Sequence, residues 1–210
     1  MACLGNHDLG LPSSRQDWES QRGELHLADG IIKTQHADII ALNTQWIRDG
    51  VMDYYWEHRS DCREAIADVQ LEWLDKHLAE GDVNRPAILL IHVALDGLPP
   101  EFTGHEMVIH RPTPAYTAPI CEVLNRHPRV KLVLSGHNHV NYAVKENGRI
   151  HLSSTSLIEP PFEMRLIRIN ERGLEIETLP VIAMPENTQY LQEAEWVNGR
   201  PQDRFLDLRW

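Results

Sequence analysis

Residues 87–92 read Ala-Ile-Leu-Leu-Ile-His, and residues 130–139 read Val-Lys-Leu-Val-Leu-Ser-Gly-His-Asn-His. An uninterrupted apolar run of this length indicates a strand that is covered on both faces, as in a parallel sheet. We therefore expect two central strands of an α/β fold, with His92 directly after the first and His137 and His139 after the second. Ligands of such sheets bind beyond the carboxyl ends of the strands, so these histidines are candidate site residues.

A third segment of the same kind stands at residues 5–8, which read Gly-Asn-His-Asp. Residues 2–4 before it have the character of the inside of a strand. Gly5 and Gly136 permit a sharp turn that aims the next side chain inward. Imidazole rings together with an amide oxygen suit a divalent transition ion such as Zn, Fe or Mn. The three strand ends thus predict a metal site on one rim of the sheet.

The remaining pattern alternates strands with helices. The Asn147-Gly148 pair predicts one hairpin, and residues 171–173 predict a second. Apolar residues at helical spacing predict a helix over residues 61–78 that Gly81 ends. The further predicted elements are strands at 30–35 and 37–43, a helix at 115–125, and hairpin strands at 140–145, 149–153, 164–170 and 174–179. This order indicates a layered α/β domain with mixed sheets.

Length and composition limit the function classes. The chain has 210 residues and a net charge of −11, which suits one globular domain and excludes an extended nucleic-acid-binding surface. No apolar run approaches the ~20 residues that span a bilayer. The three cysteines (Cys3, Cys62 and Cys121) are far apart and odd in number, so we expect free thiols in a reducing compartment and a cytoplasmic location.

The three histidine segments also resemble a known family. Gly-Asn-His-Asp at 5–8, a lone histidine at 92 after a strand, and Gly-His-Asn-His at 136–139 follow the motif order of the calcineurin-like metallophosphoesterases. The helix before His92, with Gln-Leu-Glu-Trp-Leu at 70–74, is similar as well, and the resemblance runs from about residue 3 to residue 178. It implies a layered α/β/β/α sandwich with two mixed sheets.

The resemblance also implies a ligand set. Asn6, His92 and His137 would bind one metal ion and His139 would bind the other. The complete site would hold two divalent ions, chosen from Mn, Fe and Zn. Such ions lower the pKa of a bound water towards ~7 and neutralise charge that builds up on phosphoryl oxygens.

Two further residues receive catalytic roles from the resemblance. His7 would protonate the leaving oxygen or steady the phosphate, and Asp8 would accept a hydrogen bond from His7 and hold its ring. The implied reaction is hydrolysis of a small phosphate monoester or diester by a metal-bound hydroxide. Outside the resemblance, Asp8 has a simpler interpretation as a turn or cap residue.

The sequence departs from the family pattern at its start. The DxH and GDxxD motifs, which would supply the bridging carboxylate and most ligands of one metal, are absent. We expect two strands of the central sheets to be missing with them. A fragment or misplaced start, a partner chain that supplies the strands, and a degenerate relative are the three explanations, and we favour the first. Uncovered strands would favour self-association or a covering partner. We expect the phosphoesterase domain at residues 1–180 and a C-terminal extension at 181–210.

A rival function belongs to another class, a non-catalytic metal-binding or interaction module that derives from a phosphoesterase. The long loop at 93–114 is the expected source of substrate selectivity. Its residues His105, His110 and Arg111 are candidates for phosphate contact, although loop residues of this kind are more often solvated. The other histidines are expected to be structural or on the surface: His26, His36, His58, His77, His127 and His151.

Overall fold

The computed structural model describes residues 5, 29–48, 51–53, 63–182 and 195–210. The strands in these ranges are β1 (Gly30–Lys33), β2 (Asp38–Leu42), β3 (Gln45–Arg48), β4 (Val51–Asp53), β5 (Arg63–Ala65), β6 (Ala87–Ile91), β7 (Val130–Ser135), β8 (Tyr142–Glu146), β9 (Arg149–Ser153), β10 (Glu163–Asn170), β11 (Gly173–Pro180) and β12 (Phe205–Arg209). The helices are α1 (Asp68–Glu80), α2 (Pro100–Thr103), α3 (Pro114–Arg126) and α4 (Pro201–Arg204), with a 3₁₀ turn at Glu195–Asn198.

A six-stranded mixed sheet forms the centre, in the order β1-β2-β6-β7-β9-β8. The four inner strands β2, β6, β7 and β9 are parallel to one another. The outer strands β1 and β8 pair antiparallel with β2 and β9. Parallel strands need crossovers, which α1 and α3 supply before β6 and β7. The predicted α/β fold class with a mixed sheet is therefore confirmed.

The two faces of this sheet bury different layers. Leu89 and Ile91 of β6 share a core with residues of α1 and α3, such as Leu74 and Ile120. Ile88 points the other way into a second core with Leu132, Ile150, Leu152, Leu174 and Ile176. Each fully buried side chain of this size contributes about 1.5–3 kcal/mol. The described residues thus stack as helices, central sheet and a second sheet.

The second sheet differs from the expectation. It consists of β10, β11 and β12, and both of its pairings are antiparallel rather than mixed. The C-terminal strand β12 completes it, and the Trp210 Nε1–H donates to the Asn170 carbonyl at 3.1 Å. Residues 205–210 therefore pack on the preceding hairpin, while the division of the chain at residue 180 stays a prediction. A third small sheet joins β4, β3 and β5, again antiparallel.

The helix predicted at 61–78 begins later, at Asp68. Arg63–Ala65 form β5 instead, and residues 61–62 lie outside the described ranges. The buried face of α1 is also shifted, because polar Gln70 is buried there while Val69 is 69% exposed. Gln70 donates to the Asn43 carbonyl at 2.9 Å and accepts from the Ala67 N–H at 3.1 Å. A buried amide with long-range partners is invisible to hydrophobic periodicity.

Gly81 ends α1 as predicted, but for another reason than a left-handed cap. Its φ is −73°, which any residue can adopt. A Cβ at this position would lie 2.2 Å from Arg129 Nη2. The glycine therefore makes room for a guanidinium group.

No helix in the described ranges is long and apolar enough to cross a membrane.

The Arg129 guanidinium belongs to a buried ion pair at the amino ends of strands β2 and β7. Arg129 Nη1 donates to Asp38 Oδ2 at 3.0 Å, and its Nε donates to the Leu78 carbonyl at 3.1 Å. Arg85 Nε donates to the other carboxylate oxygen of Asp38 at 2.7 Å. Asp38 is 4% exposed and Arg129 is 6% exposed. The pair joins the start of β2 to the end of α1 and to the residue before β7.

We predict that Asp38→Asn lowers the free energy of unfolding by about 3–5 kcal/mol, because it leaves a buried Arg129 charge without its counter-charge. Urea denaturation followed by circular dichroism measures the difference. Glu80→Gln is the matched control, since the Lys76–Glu80 pair at 3.9 Å lies on the surface and contributes less than about 1 kcal/mol. Equal effects of the two variants would contradict the prediction.

A separate prediction concerns acid. Burial alone would raise the pKa of Asp38, but hydrogen bonds and charges from Arg85 and Arg129 outweigh it and hold the pKa below the ordinary value of 3.8. A depressed folded-state pKa contributes stability above the unfolded pKa, and that stability is lost as pH falls through the folded pKa. The free energy of unfolding, measured by urea denaturation from pH 7 to pH 3, should therefore fall more steeply below about pH 4 in the wild type than in Asp38→Asn.

Candidate metal centre

His92 and His137 meet at the carboxyl ends of two adjacent parallel strands. β6 and β7 are paired up to Leu90 and Leu134, and beyond that point the Gly136 N–H donates to the His92 carbonyl at 3.0 Å. The two imidazole centroids are 5.2 Å apart and the rings meet edge to face at 75°. Both residues are half-buried. The structure thus brings together two of the histidines that the sequence marks as ligands.

The turn after β7 has an uncommon backbone. His137 has a φ of 64° and His139 a φ of 52°, and for residues other than glycine this left-handed conformation costs on the order of 1–3 kcal/mol. The Asn138 N–H donates to the Gly136 carbonyl at 2.7 Å, and the Asn138 side chain is buried. His137 and His139 are both half-exposed on either side of it. Such local strain is typical of functional sites.

Glu159 braces the third histidine. His139 Nδ1 lies 2.9 Å from Glu159 Oε2. With the proton on Nδ1, the ring donates to the carboxylate and the Nε2 lone pair stays available, which is the arrangement of most metal-binding histidines. The sequence analysis missed Glu159, because the two residues are 20 positions apart and no local motif links them.

Of the loop candidates, His110 is the one with an electrostatic connection to His139. Its φ is 50°, and partial desolvation, with repulsion from His139 added, lowers its pKa below 6.5. His105 instead lies edge to face against Trp196, with centroids 6.0 Å apart, and Arg111 is exposed. Of the three loop candidates, His110 therefore lies within electrostatic reach of the histidine cluster.

Gly5 connects the first motif to this site. A Cβ on Gly5 would lie 2.7 Å from His92 Cε1, so the glycine backbone packs directly against the His92 imidazole. Residues 6–8 follow at once in the chain but lie outside the described residues. The ligand role of Asn6 and the catalytic roles of His7 and Asp8 stay predictions.

No family model matches the sequence, and no curated protein matches it. Among solved structures, a dimetal phosphatase from Danio rerio is similar over 54% of this chain, with 20% identity and a TM-score of 0.44. A protein from Staphylococcus aureus named as a candidate 5′-nucleotidase is similar over 91% of this chain, with 17% identity and a TM-score of 0.44. The aligned region spans 35% and 40% of the lengths of these two proteins.

The packing of Gly5 on His92 generates a prediction about ring position. Gly5→Ala should turn the His92 imidazole away from His137, because the new methyl group would overlap the ring. Long-range ¹H–¹⁵N spectra of the imidazoles report this as a shift of the His92 resonances. Gly136→Ala is the matched control, because a Cβ there would lie 3.7 Å from His92 Nδ1, an ordinary contact. Equal shifts in the two variants would disprove the packing argument.

Proposed function

We propose that this chain forms part of a metal-dependent phosphoesterase site. In this proposal Asn6, His92 and His137 hold one divalent ion, and His139 contributes to a second. The observation that carries it is the convergence of His92 and His137, with rings 5.2 Å apart at neighbouring parallel strand ends. Ligand sites of α/β sheets are found at such strand ends.

The chemistry of the donor set fits a transition ion. Imidazole nitrogens suit Zn, Mn and Fe, and the Glu159 carboxylate at 2.9 Å from His139 Nδ1 leaves Nε2 of that ring to act as a ligand. When bound, divalent ions at such a site lower the pKa of water and neutralise charge on phosphoryl oxygens. The chain has a net charge of −11, and bound cations would add the local positive charge that attracts an anionic phosphate ester.

The protein groups around the ions then have separate tasks. In the proposal His7 protonates the leaving oxygen and Asp8 holds the His7 ring in the required orientation. His110 lies within electrostatic reach of His139, and partial burial, with repulsion from His139 added, lowers the pKa of its ring and so favours the neutral form. A neutral ring adds no repulsion towards a second cation and can donate one hydrogen bond to a phosphoryl oxygen.

The test is hydrolysis of bis-p-nitrophenyl phosphate and p-nitrophenyl phosphate by the Mn²⁺-loaded chain. We expect turnover of at least one of them, and a fall in kcat/KM of about 100-fold or more in His92→Ala, since a lost ligand costs more than the 10–100-fold effect of outer-shell groups. His36→Ala is the control. His36 comes just before β2, which is parallel to β6, so it lies at the amino ends of the strands, away from His92, and this variant should retain activity.

The two substrates separate diesterase from monoesterase activity. Full retention of the rate in His92→Ala would refute the assignment of the site. Tight Mn²⁺ binding with turnover of neither substrate would instead favour the rival function, a metal-binding module without catalysis.

A further inference from the structure

A second group of metal-ligating side chains lies apart from the turn that carries His137 and His139. One ligand atom from each of Asp96, Glu146 and His151 lies within 4.8 Å of the other two. His151 is in the middle of β9, Glu146 ends β8, and Asp96 lies in the loop that follows β6. The antiparallel β8–β9 pairing brings Glu146 to the same hairpin as His151.

The contact between Asp96 and His151 is unusual. Asp96 Oδ2 and His151 Nδ1 are 2.8 Å apart, which is the distance of an ion pair, and neither atom forms a hydrogen bond with any other described residue. The His151 side chain is only 8% exposed. A buried polar atom without a partner costs about 1–3 kcal/mol, and bound water or an ion is the common remedy.

Asn138 supplies an independent observation. It is 6% exposed, and neither its amide nitrogen nor its amide oxygen has a hydrogen-bond partner in the described ranges. Its side chain lines the same small cavity as Asp96 and His151. The centre of a water molecule fits into about 10 Å³ of this cavity, which is room for one small species. The unpartnered amide of Asn138 and the Asp96–His151 pair thus line one small space.

The carboxylates of the cluster make the local electrostatic potential more negative. Burial, and after it the charge of Asp96, raises the pKa of the nearby Cys121 thiol, and Glu146 adds to the effect while Arg149 opposes it. The Arg149 guanidinium donates its hydrogen bonds to other groups, to Asn125 Oδ1 at 3.0 Å and to the Leu124 carbonyl at 2.7 Å. Neither carboxylate of the cluster forms a salt bridge with a lysine or arginine in the described part of the chain.

We propose that Asp96, Glu146 and His151 bind a divalent transition ion of the Zn²⁺ type, separate from the site at His92 and His137. One imidazole with two carboxylates is a donor set that zinc accepts, and a bound water would complete four ligands. Mg²⁺ and Ca²⁺ prefer sites made of oxygen ligands alone. The ion ties the loop after His92 to the β8–β9 hairpin. This inference does not depend on hydrolysis by the first site.

Zinc stoichiometry of the full chain tests the proposal. We would measure Zn²⁺ by elemental analysis after loading and gel filtration, and its affinity by competition with a chromophoric chelator. Glu146→Gln should bind one Zn²⁺ fewer per chain, or bind it at least about tenfold more weakly, both alone and in a His137→Ala background. Glu146 is exposed, so this variant should fold. Glu72→Gln, the same change on the exposed face of α1, should match its parent.

A spectroscopic measurement identifies the ligand atom. Addition of Zn²⁺ should shift the Nδ1 resonance of His151, which the loss of the signal in His151→Gln assigns, and Glu146→Gln should abolish that shift. Equal zinc content and affinity in Glu146→Gln and Glu72→Gln, a parent chain without any zinc, or an unchanged His151 resonance would each overturn the proposal. None of these measurements uses turnover, so failure of the phosphoesterase proposal is seen separately.

Discussion

The parallel pairing of β6 with β7 is the constraint on which the site depends. Parallel strands end at the same edge of a sheet, so their pairing carries His92 and His137 to one rim. Burial of both faces of these strands fixes the register of their pairing. A slip by one residue would turn every apolar side chain to the opposite layer. The hydrogen bond from Gly136 to the His92 carbonyl at 3.0 Å extends this register into the site. Hydrophobic burial far from the histidines therefore sets the distance between their rings.

This dependence explains which features could be predicted from the sequence. An apolar run followed by histidine is a local pattern, so the strands at Ala87–Ile91 and Val130–Ser135 and the residues at their ends were predictable. The hairpins were predictable as well, because Asn147 and Gly148 favour the turn. Gln70 and Glu159 were not predictable, because each acts through contacts with residues far away along the chain. A polar residue that is buried by distant partners carries no periodic signal of its own.

The fold also supports strain at the rim. His110, His137 and His139 all have positive φ angles between 50° and 64°, and isolated peptides would avoid this conformation. Such a backbone persists only where the surrounding structure over-determines it. Here β7 enters the turn from a buried sheet, and the contact between Glu159 and His139 holds the far side. Burial of apolar side chains in the two cores offsets the free-energy cost of this backbone conformation.

The same turn gives the molecule two polar environments on opposite sides of one short segment. His137 and His139 are partly exposed at the rim, while Asn138 between them is buried beside Asp96 and His151. Asp96 in turn lies four positions after His92 in the loop that leaves the first site. A cation bound by Asp96, Glu146 and His151 would therefore stabilise the backbone near His92 and near the turn that carries His137 and His139. If an ion at Asp96, Glu146 and His151 raised the metal affinity of the site at His92 and His137, an ion at that site would raise the affinity of the cluster by the same factor, by thermodynamic linkage. Such coupling would run through covalent neighbours and one packed turn, so it would need no large movement of the fold.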